Sequence, residues 1–107
     1  MSTATYSGDT TVALEDSLSF RVQIATDVGT AVAADSAPAF RVYGQDPTGP
    51  LPNVAGRMTA TGTTGLYSAT IPAKSANGFA AGERFSIRLT YAVSSASRAY
   101  LFPISVT

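Results

Sequence analysis

Large apolar side chains recur at every second position along most of this chain. Phe85, Ile87, Leu89, Tyr91 and Val93 alternate with Ser86, Arg88, Thr90 and Ala92. That period belongs to a strand with one buried and one solvated face. Leu18, Phe20, Val22 and Ile24 stand in the same way opposite Ser19, Arg21 and Gln23. Phe40 and Val42 oppose Arg41 and Tyr43, and Val54, Met58 and Ala60 oppose Arg57 and Thr59. Tyr67, Ala69 and Ile71 oppose Ser68 and Thr70, and Tyr100, Phe102, Ile104 and Val106 close the chain in one register. A weaker early strand is expected at residues 3–7 or 10–13. The one candidate for a helical turn is residues 73–76.

Breaks separate these runs. "DVGT" at 27–30 holds a glycine suited to a positive-φ turn, and "TGTTG" at 61–65 suits a hairpin between short strands. "GQDPTGPLPN" at 44–53 concentrates prolines and glycines and reads as a loop. "PAKSANG" at 72–78 reads as a longer connection, and "SSAS" at 94–97 as a small polar turn. Pro103 has no N–H to donate, so the last strand is expected to be an edge or to be bulged there. Six or seven short antiparallel strands at this spacing predict an all-β fold, a β-sandwich in preference to a barrel. Residues 12–107 form its single domain. Residues 1–11 are an N-terminal arm or its first edge strand.

The length of 107 residues suits one core. Cysteine and histidine are both absent, which removes disulfides, thiolate chemistry and the usual zinc, haem and iron–sulfur ligands. No cofactor is expected. Seven basic residues balance seven acidic ones, the wrong charge for a nucleic-acid partner. No apolar run is long enough for a membrane span, and the polar start lacks the regions of a signal peptide. The expectation is a complete soluble product of the cytoplasm that begins at Met1.

Candidate chemistry is sparse. Nucleophile–base pairs lack their residues, leaving Asp9, Glu15, Asp16, Asp27, Asp35, Asp46 and Glu83 as candidates for a carboxylate pair. Nearly all fall in turns or at strand edges, where such side chains cap backbone N–H groups. Asp27, Asp35 and Asp46 could meet at one end of a sandwich, but no run has the spacing of a calcium loop. "GTTG" lacks the lysine and helix of a phosphate-binding loop. Arg21, Arg41 and Arg57, with Tyr43 alongside, could form a basic stripe, but arginine on a solvated strand face is the ordinary explanation. The reading is therefore non-enzymatic.

Surface remains. Tyr43, Leu51 and Val54 lie in or beside the proline-rich loop, whose restricted freedom lowers the entropy cost of a contact. Phe79 is either a plug over the end of the core or a docking anchor. Tyr6, on the polar N-terminal stretch, could help add a strand to a neighbouring chain. These five residues are the partner-binding candidates, and exposed sheet edges leave a homo-oligomer open. Tyr43, Tyr67, Tyr91 and Tyr100 could instead offer stacking surfaces to a glycan.

"TGLYSATIPA", then "SANGFAAGERFSIRLTYAV" and a closing "YLFPISVT", together with the earlier "APAFRVYG", resemble small structural proteins of tailed bacteriophages. The shared texture is a G-x-Y strand, an NG(F/Y)xxG connection, a long alternating strand, a short turn and a final F-x-I/V strand. It covers residues 17–107. The resemblance implies an immunoglobulin-like β-sandwich of the virion, assembled in the host cytoplasm and placed on the capsid surface. Its implied partner is the major capsid protein or another virion protein, with the protein acting as a capsid decoration or cement protein. A neck, tail or fibre location and an adhesive, carbohydrate-binding role are the alternatives.

Overall fold

The computed structural model describes residues 2–44 and 50–107, with residues 50–53 described by their backbone alone. Nine strands run through the described residues: β1 (Ser2–Gly8), β2 (Thr11–Val12), β3 (Ser17–Thr26), β4 (Ala39–Tyr43), β5 (Pro50–Arg57), β6 (Thr59–Ala60), β7 (Leu66–Pro72), β8 (Arg84–Val93) and β9 (Ala96–Val106). A 3-10 turn at Ser75–Asn77 is the only helical piece among them. Four strands form one sheet in the order β1-β3-β7-β6, and five form the other in the order β2-β9-β8-β4-β5. The fold is a β-sandwich.

The alternating residues face one another across the sandwich. Phe20, Val22 and Ile24 of β3 pack with Ile87 and Leu89 of β8, all of them buried, in one continuous core with Val42, Ile71 and Ile104. Each such side chain stabilises the fold by about 2 kcal/mol relative to leaving it in water. Strands β8 and β9 pair without a register shift from Arg84↔Ser105 to Val93↔Ala96. The Ser105 N–H points at β2, donating to the Thr10 carbonyl at 2.8 Å. A period-two pleat turns the Pro103 nitrogen the same way, out past the end of β2, so the missing donor costs the β8–β9 ladder nothing. Pro103 sits on an open edge, and the strand is not bulged there.

Several local expectations change. Both early stretches are strands, and β2 adds the one parallel pairing among the described residues, Thr11↔Ser105 and Val12↔Val106. The run 54–60 is divided between the two sheets: β5 belongs to one, β6 to the other, and buried Met58 lies at the crossing. Met58 stays in the core at the crossing, which is why one strand was expected, but Thr59 and Ala60 are both exposed, so Ala60 does not continue the buried face. Within 44–53, residues 50–53 open β5 instead of a loop, while 45–49 lie outside the described residues. β5 is the outermost strand of its sheet, the place where prolines are tolerated.

Candidate functional site

The five partner-binding candidates do not gather at one place. Tyr6 is half-buried, its ring stacked on Phe20 at 5.5 Å and tilted against Phe102 at 5.2 Å, so it joins the edge of β1 to the opposite sheet. Its hydroxyl donates to the Asp9 carbonyl at 2.6 Å. Burial, with the Asp9 charge adding to it, pushes the Tyr6 phenol up to about 12. Val54 is a core residue, 3% exposed, and has no surface to offer a partner. Phe79 is buried as well, with its ring 4.7 Å from Phe85, and plugs the end of the core. The Leu51 side chain lies outside the described residues. Tyr43 alone among the other four keeps part of its surface on an outer sheet face.

The tyrosines named for glycan stacking do not form a platform either. Tyr67 and Tyr91 are buried, and Tyr100 stacks on Tyr91 and Phe102, each at 6.2 Å. The buried Ser2 hydroxyl donates to the Tyr91 oxygen at 3.2 Å.

Three of the carboxylates are engaged as caps. Asp35 accepts the Ser94 N–H on one oxygen at 2.9 Å and the Ser95 N–H on the other at 2.8 Å. Those serines form the two-residue β8–β9 turn, and both have positive φ, 51° and 68°, as a type I′ hairpin requires. Glu15 accepts the Ser75 hydroxyl at 2.6 Å and its N–H at 2.8 Å, and these bonds hold its carboxyl below the ordinary value. Asp16 accepts the Ser17 N–H at 2.9 Å. Among the described residues, no three Asp or Glu side chains come together in a way that could hold a metal ion.

The arginines follow a different rule. All six lie in strands, and among the described residues no strand contains Asp or Glu. The expected stripe has a changed membership. Arg21 faces out from the four-stranded sheet, whereas Arg41 and Arg57 share the outer face of the five-stranded sheet with Arg84 and Arg88. Register maps that face: one row across it reads Leu101, Arg88, Arg41, Ala55, and the next reads Ala99, Thr90, Ala39, Arg57. Arg41 and Arg88 are thus directly opposite on adjacent strands, where like charges are unfavourable. At a separation of about 6 Å in water the repulsion is about 0.7 kcal/mol. Arg57, in the next row, donates from Nη1 to the Ala37 carbonyl at 2.7 Å, on the side of Ala39 away from Arg41. Leu101, 62% exposed, stands directly across from Arg88.

Arg88 and Leu101 escaped the sequence reading. The alternation marked Arg88 as outward, but only the β4–β8 register sets it against Arg41. No family model matches this chain, and no curated protein matches it.

Proposed function

We propose that this chain is a non-enzymatic structural protein of a tailed-phage virion, most simply a capsid decoration protein that binds the major capsid protein. The observation that carries the non-enzymatic part is the use of carboxylates as caps. Asp35, Glu15 and Asp16, half of the six described acidic residues, are each bonded to backbone N–H groups of their own chain. Groups committed to holding turns are poor candidates for moving protons. What the sandwich then offers a partner is surface on a rigid frame.

The virion location rests on the resemblance over residues 17–107. The strand order supports the immunoglobulin-like part of that reading. With β1 to β9 in place of lettered strands, β1-β3-β7-β6 facing β2-β9-β8-β4-β5 follows the ABED-against-GFC order with two added strands, β5 beside β4 and the two-residue β2 beside β9. A decoration protein acts by mass action: each bound copy adds interface between shell subunits, and stabilisation grows with occupancy. A standard interface needs about 800 Å² from each partner, which one sheet face of this size can supply.

The test is the copy number in purified virions, measured by quantitative mass spectrometry against the major capsid protein. A ratio comparable to the shell protein is expected. A handful of copies would replace decoration with a neck, tail or fibre role. Absence from particles would overturn the virion reading, and a glycan array would then be the next assay.

A further inference from the structure

We propose that the outer face of the five-stranded sheet is a docking surface for an acidic protein partner, which places carboxylates on Arg41 and Arg88 and an apolar side chain on Leu101. This rests on the reading of the chain as a binding scaffold, and names the face and the chemistry of what binds it.

Charge is the first argument. Arg41 and Arg88 oppose each other at one register position on adjacent strands, an arrangement that costs the free chain stability. Among the described residues the strands hold no carboxylate that could relieve it, and the acidic residues all sit in the connections. Two carboxylates arriving from outside would reverse the sign of that local energy, and each guanidinium fork can take a carboxylate bidentately.

Shape is the second. Five small side chains, Ala39, Ala55, Ala99, Ser86 and Thr90, adjoin the pair, with Tyr43 and Leu101 the larger neighbours on one side, so much of the floor is low and the guanidinium groups stand above it. Three adjoining depressions of about 610, 490 and 450 Å³ share Arg88 in their walls. A partner can therefore lie close to the sheet with Arg88 at the centre of the contact.

The mixture of side chains selects a protein over a nucleic acid. Arginine and tyrosine beside an exposed leucine is the composition of protein–protein contacts. A phosphate backbone needs a sustained positive track, whereas this chain is neutral overall and has one lysine. Stacked bases need more than the single aromatic, Tyr43, that the face presents.

The test uses the full chain, labelled with ¹⁵N, titrated with a synthetic peptide of alternating glutamate and leucine and separately with a single-stranded DNA oligomer. Peptide-induced amide shifts are expected on β4, β8 and β9 around Arg41, Arg88 and Leu101, and the Kd should weaken about tenfold between low and moderate salt. Arg88→Ser should weaken the peptide at least about tenfold without lowering the thermal midpoint, because it removes repulsion from the free chain. Leu101→Ser should weaken it severalfold and leave the salt dependence unchanged. Tighter binding of DNA than of peptide at this face would overturn the protein partner. Shifts confined to the loops, or no shifts with either probe, would overturn the surface itself. Particle occupancy separates this proposal from the virion reading. Wild-type occupancy by R88S would sink the face while sparing the virion role, whereas absence of the wild-type protein would sink that role and leave the titration to judge the face.

Discussion

Asp35 holds together a turn that its own residues do not favour. Ser94 and Ser95 both sit at positive φ, a region that costs a residue with a Cβ about 1 kcal/mol or more. Asn-Gly is the pair that suits such a turn. Here the Asp35 carboxylate takes one turn N–H on each oxygen, and its own N–H donates to the Ala92 carbonyl at 2.8 Å. Asp35→Ala removes the two side-chain bonds and leaves the backbone bond. Hydrogen bonds to a charged group contribute about 1.5–3 kcal/mol each when shielded. Asp35 is exposed, so water replaces part of that loss, and an exposed helix cap, worth about 0.5–2 kcal/mol, is the better guide. The expected cost is about 1.5 kcal/mol, or a fall of about 7 °C in thermal midpoint for a domain of this length.

Thermal melts followed by circular dichroism measure this directly. Asp35→Asn keeps one acceptor oxygen and should lie about halfway between wild type and Asp35→Ala. Installing Asn-Gly through Ser94→Asn and Ser95→Gly should recover about 1–2 kcal/mol, and more of it in the D35A background, since the two devices do the same work. A D35A protein melting within about 1 °C of wild type would refute the account. Full additivity of the two changes would refute the coupling between carboxylate and turn.

Two further outcomes follow from other connections. Gly65 has φ of 74°, and a Cβ there would stand 2.6 Å from the carbonyl oxygens of both Ile24 and Val32, whereas one at Gly62, φ 94°, would meet open space. Gly65→Ala should cost about 3 kcal/mol and Gly62→Ala about 1 kcal/mol by chemical denaturation, and equal costs would show that φ alone matters at both. For Glu15, hydrogen bonds from the Ser75 hydroxyl and N–H lower the carboxyl below its ordinary 4.5, so its contribution is present above that value and lost as pH falls through the folded one. The midpoint advantage of wild type over Glu15→Gln should therefore shrink as melts are taken to pH below about 4.5, and a constant advantage would count against the Ser75 contact.

The strands were legible where alternation was long and proline-free. β3 and β8 each bury four large apolar residues at strict period two, and the residues between them stay wet. Pairing was less legible, because period two assigns a face and never a neighbour. That is why Met58 hid the crossing between sheets, and why Arg21 was grouped with Arg41 and Arg57 while Arg88 was left out. Prolines misled at Pro50 and Pro52, since an edge strand accepts what a central strand rejects. Apolar residues near breaks were the hardest to place. Val54, beside the proline-rich loop, and Phe79, in a connection, each admitted a surface role and a place in the core, and the chain folds both into the core.

The same interior supports two unlike exteriors. Alternation fixes only the inward half of each strand; the outward half can vary with little effect on the core. On the four-stranded sheet that freedom is taken up by small neutral side chains, with the Ser19 and Thr70 hydroxyls 3.2 Å apart and Arg21 the one charge. On the five-stranded sheet it is taken up by four arginines, two of them opposed. Packing demands neither choice, and local electrostatics works against the second. A feature that the fold does not require and that costs it stability is where selection by a partner leaves its mark, so the difference between the two faces carries more functional information than the core that both share.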